Sequence, residues 1–341
     1  MHDNILYGGS KNNRVIGIEA MTDISIIIVN WNTKQLLLDC ITSIFRTIRS
    51  VSFEVIVSDN GSRDGSCEAV VAAFPAVRLI ENGRNLGFAR ANNAALRTMT
   101  GRYALLLNSD TVLLESAVDH LIAFMESHPE AGMCGPQLLY GDGSLQQSIG
   151  DFPRILTDFT SRTVFRLYSC LRLEAVKPVP HVTLMESTSI VDYIMGSCML
   201  VRKSSIDEVG MLDEDYFFFY EEIDWCFRMH QAGWKVYHVP ETRIIHLSEQ
   251  SRKHINIRAR IETWHSRYLF HIKSYRLSRP AVLGLYLLGF FSVSLHLMEY
   301  TALNAAVLFA PPRLRNRLLL FWRLFLWHLR GFPVSMGLPR S

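Results

Sequence analysis

The period of apolar residues changes along the chain and marks its elements. Asp23–Val29 (DISIIIV) is a continuous β-branched run ending in Asn30-Trp31-Asn32, as expected of a strand buried on both faces of a parallel sheet. Leu36, Leu37, Cys40, Ile41, Ile44, Phe45 and Ile48 then recur at helical spacing. Phe53–Ser58 (FEVIVS) predicts a second strand, with Asp59-Asn60-Gly61-Ser62 as its turn. A helix over about 64–74, a strand at Val77–Glu81, a helix over about 88–99 and a strand at Tyr103–Leu107 follow. Strands and helices alternating in this way predict βαβ units in an open, right-handed, mostly parallel sheet flanked by helices.

The pattern loosens from Gly132 to about Val182. Gly141-Asp142-Gly143 reads as a turn between two short strands, and Leu156–Leu173 mixes basic and apolar residues without a usable period. Val191–Val201 predicts a strand or strand pair interrupted by Gly196. An acidic, aromatic cluster (Asp213–Asp224) precedes a helix ending at Gly233, with short strands expected at Lys235–His238 and Arg243–His246. Ala281–Met298 then carries no formal charge over 18 residues, His296 aside, which meets the lower limit for a bilayer span. After Ala302–Ala310 and Pro311-Pro312, Arg313–Arg330 mixes Arg with Leu, Phe, Trp322 and Trp327. One reading is a buried helical hairpin packed on the main domain. The Arg- and Trp-bearing helix favours membrane association, because such helices lie at the headgroup boundary and meet anionic lipid. The expected division is a tail over 1–22, an α/β domain over 23–275 with halves 23–110 and 111–275, and membrane-associating helices over 276–341.

Composition narrows the class. A 341-residue chain that is 49% hydrophobic exceeds one average domain and is far too apolar for disorder. A net charge of +3 is too mild to argue nucleic-acid binding. That balance hides an asymmetry: Tyr300–Ser341 has no acidic residue but holds Arg313, Arg315, Arg317, Arg323, Arg330 and Arg340. Six scattered cysteines form no C-x-x-C pair, and the polar start Met1–Ala20 is unlike a secretory leader. Reduced, mostly buried thiols and a main domain exposed to the cytosol are therefore expected.

In open parallel sheets ligands bind beyond the carboxyl ends of the strands. Those ends read Asn30-Trp31-Asn32, Asp59-Asn60-Gly61-Ser62, Asn82–Asn85 and Asn108-Ser109-Asp110. Neither G-x-G-x-x-G nor a P-loop follows the first strand, so a nucleotide here is held by amides and carboxylates rather than a glycine cradle. Asp59 suits an Asx turn, with Ser62 or Asp64 capping the next helix, or equally a selector for a nucleoside. Asp110, at the rim of an apolar strand, suits a divalent cation, with Asn108 on the same side of an extended segment; a plain turn residue is the alternative. Glu221, Glu222 and Asp224 follow four aromatics. They could simply favour a helix's first turn, with Asp224 and Arg228 an i,i+4 pair. Glu221, Asp224 and Arg228 share one helix face and Glu222 lies about 100° away, so the two glutamates have different jobs. An aromatic wall raises a carboxylate's proton affinity, which suits a general base. His246 is either a metal ligand or a strand-end residue.

Taken in order, IIIVNWN (26–32), VIVSDNGSRDGS (55–66), NLGFARAN (85–92), LLLNSD (105–110), GSCMLVR (196–202), GMLDEDYFFFYEEIDWCFR (210–228) and GWKVYHVPETRIIH (233–246) resemble a family 2 glycosyltransferase of the GT-A fold, near its rhamnosyltransferase-like branch. The resemblance spans roughly residues 23–275. It implies that Asp59 contacts the base of a nucleotide diphosphate sugar, and that Asn30, Asn32, Asn85, Gly87, Asn92 and Asn108 line the nucleotide-sugar site. It further implies that Asp110 holds a divalent cation (Mg or Mn), that His246 completes the metal shell, and that Glu222 is the catalytic base beside Glu221 and Asp224. Asn108 replaces the first Asp of the family's D-x-D motif, which leaves less charge on the metal. The implied reaction is an inverting displacement on a dTDP-, UDP- or GDP-sugar, with L-rhamnose from dTDP-rhamnose the leading choice. The implied acceptor is a polyprenyl-linked or cell-surface glycan, met at the cytoplasmic face of the inner or plasma membrane. Two other readings are a nucleotidyltransferase, which wants a basic glycine-rich loop after the first strand, and a non-catalytic scaffold with the same fold. A dehydrogenase lacks its glycine fingerprint.

Overall fold

A computed structural model describes residues 22–159, 187–247, 257–307 and 311–330. The tail before Thr22, most of Leu156–Leu173, Cys170 and Arg340 lie outside the described residues. The first half follows the predicted alternation: β1 (Ile24–Asn30), α1 (Lys34–Thr47), β2 (Phe53–Asp59), α2 (Ser66–Ala73), β3 (Arg78–Glu81), α3 (Phe88–Leu96) and β4 (Tyr103–Asn108). Then come β5 (Thr111–Leu113), α4 (Ala117–Ser127), β6 (Ala131–Leu139), β7 (Ile149–Gly150) and α5 (Ile155–Phe159). The second half holds β8 (Ser189–Ile190), β9 (Tyr193–Ile194), β10 (Cys198–Arg202), α6 (Lys203–Val209), α7 (Glu221–Gln231) and β11 (Lys235–His246). Three helices close the chain: α8 (Ile257–Ser274), α9 (Arg279–Ala306) and α10 (Pro312–Leu329).

The main sheet runs β3-β2-β1-β4-β10-β6-β11-β5, with β8 added beside β11. Its β3-β2-β1-β4 half is parallel, as the β-branched runs predict. The other half is mixed. Strand β10 is antiparallel to both β4 and β6, β11 is parallel to β6, and β5 and β8 are antiparallel to β11. The two short strands expected at Lys235–His238 and Arg243–His246 are one strand whose register with β6 shifts between Val239 and Arg243. The break spans Pro240, which has no N–H to give a ladder. After Gly141-Asp142-Gly143 the expected second strand shrinks to a single bridge, Leu139 to Leu145. Ser144 closes the turn by donating from its N and Oγ to Asp142 Oδ1.

Apolar side chains cover both faces of the sheet. Ile24, Ile26 and Ile28 join α1 and α4 on one face, while Ile27, Leu106, Met199, Trp225 and Met229 join α3 and α7 on the other. Cys40, Cys134, Cys198 and Cys226 are buried free thiols, and Cys67 is a free thiol at intermediate exposure.

The C-terminal hairpin packs on α8 and still presents apolar surface. Helices α9 and α10 run antiparallel, pairing Phe290 with Phe325, His296 with Phe321 and Tyr300 with Phe321. Tyr268 of α8 enters beneath Gly289, where any Cβ would collide with its hydroxyl, and meets His328 Nε2 at 2.9 Å. On the outer side Leu283, Leu287, Phe291 and Met298 stand exposed at helical spacing. Among the described helices α9 alone is long and apolar enough to cross a membrane.

Trp225 is fully buried and donates from Nε1 to Gly210 O at 2.8 Å, tying α7 to the loop before it. Trp225→Ala removes that bond and leaves a large cavity, so it should destabilise the domain by about 3–5 kcal/mol, read by denaturant melts.

Candidate functional site

The parallel register brings three strand ends level. Asn30 pairs with Asp59, and Val29 with Asn108, so β1, β2 and β4 finish within one residue of each other. Each run turns polar there and the side chains join. Asn30 Nδ2 donates to Asp59 Oδ2 (2.8 Å), Thr33 Oγ1 donates to Asn30 Oδ1 (2.7 Å), and Thr33 Oγ1 lies 2.9 Å from Ser109 Oγ. A continuous polar chain thus runs from the β2 end to the β4 end. Asp59 also receives the N–H of Ser62 at Oδ1, the expected Asx turn. Ser62 Oγ in turn accepts from Asn32 N. Asn32, left-handed at φ 54°, accepts at Oδ1 from Arg63 N. Asp64, not Ser62, serves the start of α2, where Oδ1 takes Ser66 N and Oγ. Trp31 stands exposed between the two amides.

The N-x-G turn before α3 is held from two sides. Asn85 Oδ1 accepts from Gly87 N, and Asn60 Nδ2 donates to Gly87 O. Gly87 (φ 84°) lies against Phe217, whose carbonyl a Cβ would meet at 2.5 Å, so only glycine fits. Phe217, Arg84, Asn85, Leu86 and Arg90 line a small cleft there. Asn92 is buried and bonds Phe88 O within its own helix, while the neighbouring Asn93 clasps Leu212 N and O.

At the β4 end Asn108 and Asp110 do converge, although Ser109-Asp110 is a turn rather than an extended segment. His246 arrives because β11 ends beside the start of β5, where it pairs with Thr111. Its Nε2 lies 3.3 Å from Asp110 Oδ1 and 3.4 Å from Asn108 Nδ2. Gln146, to which the sequence had given no role, lies 2.8 Å from His246 Nδ1 through Oε1. Among the described residues no group of three or more His, Cys, Asp and Glu could hold a metal. Asp110 and His246 alone suit a hard divalent cation whose remaining ligands are phosphate oxygens and waters.

Glu222 lies behind the loop that meets the Asn108 end. Asn108 N donates to Ser197 O (3.0 Å), and the preceding Gly196 backs directly onto Glu222, whose side chain a Cβ would touch at 3.5 Å. Two residues of one loop thus bridge the Asn108 end and Glu222. Glu221 Oε2, Glu222 Oε2 and Ser197 Oγ are all buried without a hydrogen-bond partner. Buried polar atoms without a partner are uncommon, and the two glutamates supply two of them from adjacent residues. Burial pushes the Glu222 carboxyl up to about 7. Burial, reinforced by the Glu222 charge, holds Glu221 well above the ordinary glutamate range. Asp224 sits apart from this pair: Arg228 Nε donates to it at 2.8 Å, and the same guanidinium holds Val209 O and Met211 O.

The two glutamates make stability depend on pH. Both keep their protons to higher pH folded than unfolded, so stability falls as pH rises from about 4.5 through about 7, and goes on falling until Glu221 has also ionised. Glu221→Gln removes one of them. It should melt higher than the parent at neutral pH and match it near pH 4. Thermal unfolding across that range checks both limbs.

Residues 25–210 match the family model for glycosyl transferase family 2. An N-acetylglucosaminyl-diphospho-decaprenol L-rhamnosyltransferase of Mycobacterium tuberculosis is 32% identical over 219 residues, 59% of this chain and 67% of that protein. A rhamnosyltransferase of Escherichia coli K12 is 27% identical over 230 residues, 64% of this chain and 81% of that one. In fold the chain is similar to a mannosyltransferase from Pyrobaculum calidifontis solved with GDP-mannose and Mn2+, at a TM-score of 0.53 and 16% identity over 91% of this chain and 88% of that one. With a parallel half whose strands end in amides and carboxylates, and a family match across more than half its length, this chain belongs to glycosyl transferase family 2, on its rhamnosyltransferase-like side.

Proposed function

We propose that this glycosyltransferase moves a sugar, L-rhamnose from dTDP-rhamnose, to a hydroxyl of a polyprenyl-linked or cell-surface glycan, with inversion at C1. The observation that carries the reading is the Gly196-Ser197 loop, whose Ser197 O accepts from Asn108 N and whose Gly196 backs onto Glu222. Asp59, Asn30 and Asn85 lie at the nucleotide end, and Asp110 with His246 would hold a Mg or Mn ion. That ion, when bound, neutralises the diphosphate as it leaves. Glu222 takes the proton of the acceptor hydroxyl while its oxygen bonds C1 from the face opposite the breaking C1–O bond. The nucleoside diphosphate departs with the electron pair, and no covalent sugar–enzyme step is required. A base held near neutrality by burial is matched to that proton transfer. The choice of rhamnose is supported by the names of both relatives, and that of a lipid-linked acceptor by the mycobacterial one.

The C-terminal hairpin supports a membrane site for the reaction, at the cytoplasmic face. Leu283, Leu287 and Phe291 are exposed on α9, and Arg313, Arg315, Arg317, Arg323 and Arg330 on α10, a pairing that suits the boundary between acyl chains and anionic headgroups.

Glu222→Gln should lower kcat by about 10²–10⁴-fold and leave donor affinity within a few fold, because only the proton acceptor is lost. A thermal-shift panel of dTDP-, UDP- and GDP-sugars with Mg2+ or Mn2+ should raise the melting temperature most with dTDP-rhamnose and an ion together. Stabilisation by none of them would sink the reading, and turnover retained in the variant would reassign the base. Leu287→Glu with Phe291→Glu should move the protein from the membrane pellet to the supernatant. Continued sedimentation with vesicles would place the anchor elsewhere.

A further inference from the structure

His246 is held from both sides of its ring, and the two sides ask different things of it. Gln146 Oε1 lies 2.8 Å from Nδ1. An amide oxygen can only accept, so Nδ1 carries a proton, and in the neutral ring Nε2 then keeps its lone pair. That lone pair faces Asp110 Oδ1 at 3.3 Å, with Asn108 Nδ2 at 3.4 Å. A lone pair and a carboxylate oxygen facing each other repel unless a cation lies between them. An octahedral divalent ion with bonds of about 2.1 Å holds neighbouring ligands about 3 Å apart, close to the observed spacing.

Gln146 is itself a built feature. It is buried, its N donates to Leu138 O at 2.8 Å, and its O accepts from Gln137 Nε2 at 2.7 Å and Ser148 Oγ at 3.0 Å. Gln137 Nε2 also reaches Ser148 Oγ, so three buried polar residues brace one another. Ser148 O then accepts from Met195 N, next to the Gly196 that backs onto Glu222. Leu247 N donates to Asp110 O at 2.9 Å, fixing the β11 end against the Asp110 turn.

We propose that Gln146 is a positioning residue that locks His246 in its Nδ1–H tautomer and aims Nε2 at a divalent cation shared with Asp110. This rests on the reading of Asp110 and His246 as cation ligands. Being neutral, Gln146 orients the ring without adding negative charge. Together with Asn108 in place of a carboxylate, that leaves Asp110 as the formal anion beside His246 among the described residues, and more of the ion's charge would stay available to the diphosphate.

Full-length protein, Gln146→Leu, Gln146→Glu, His246→Ala and the Gln146→Leu/His246→Ala double variant test it with two readouts. In metal-free protein at mildly alkaline pH, ¹⁵N NMR of the histidine rings should show His246 as the Nδ1–H tautomer, and as a mixture in Gln146→Leu. Mn2+ titration followed by EPR, with thymidine diphosphate present, should weaken about 10–100-fold in Gln146→Leu, and Gln146→Glu should restore it. In the His246→Ala background Gln146→Leu should cost nothing further. An Nε2–H ring in the parent, or an equal loss from Gln146→Leu with and without His246, overturns the proposal. Unchanged Mn2+ affinity in Gln146→Leu removes only the role of Gln146, whereas a parent that binds no Mn2+ removes the cation reading beneath it.

Discussion

The constraint on which the site depends is strand register. β1 lies between β2 and β4, parallel to both, and stays in step over its whole length. Because side chains alternate with a period of two, a slip of one residue in either pairing would turn Asn30 or Asp59 to the other face and break the Asp59–Asn30–Thr33–Ser109 chain. The apolar runs that drive β1, β2 and β4 into the core therefore also level their ends. Burial of Ile26–Ile28 and Leu105–Leu107 sets where the polar rim begins.

Antiparallel strands then supply what a parallel half cannot. Parallel strands deliver only their carboxyl ends to the rim, whereas an antiparallel neighbour delivers its amino end. Strand β10 pairs Cys198 with Leu107, so the loop entering it, Gly196-Ser197, begins where β4 finishes. By the same logic β5 starts where β11 ends, and His246 comes to rest beside Thr111, one residue after Asp110. The mixed half of the sheet is thus the reason that groups separated by more than a hundred residues, Asp110 and His246 among them, lie side by side.

The parallel half and its polar strand ends were legible because continuous β-branched runs and turn residues are local signals. Asn30, Asp59, Asn108 and Asp110 could be singled out as strand-end groups on that basis alone. The antiparallel half was not legible: β10 follows an irregular stretch, and its place between β4 and β6 depends on long-range pairing that leaves no periodic mark. Gln146 was hidden for a related reason. It sits in a short loop after a glycine turn, and its importance comes from His246, 100 residues away. Asn60 and Ser62 lay in plain view as turn residues, yet their bonds to Gly87 O and Asn32 N could be found only in three dimensions.

The turn before Glu221 shows how the last helices bear on the glutamates. Phe219 and Tyr220 are both left-handed, at φ 64° and 71°, a conformation that costs an aromatic residue on the order of 1–3 kcal/mol. Such strain persists only where surrounding contacts over-determine it, and α8 provides them. Ser266 Oγ donates to Phe218 O, and Arg267 Nε donates to the Tyr220 hydroxyl, which itself donates to Asp158 Oδ2. Arg267 also bonds Asp158 O and lies against the Trp264 and Phe159 rings, while His271 reaches Asp158 from the next turn of α8. Immediately after Arg267, Tyr268 receives Gly289 and His328 of the C-terminal hairpin. Helix α8 therefore grips the strained turn with one set of residues and the exposed apolar hairpin with another. The position of Glu222 relative to the hairpin is set by a single rigid element. A hairpin lying on a bilayer would hold the glutamate at a fixed depth, as the proposed lipid-linked acceptor would require.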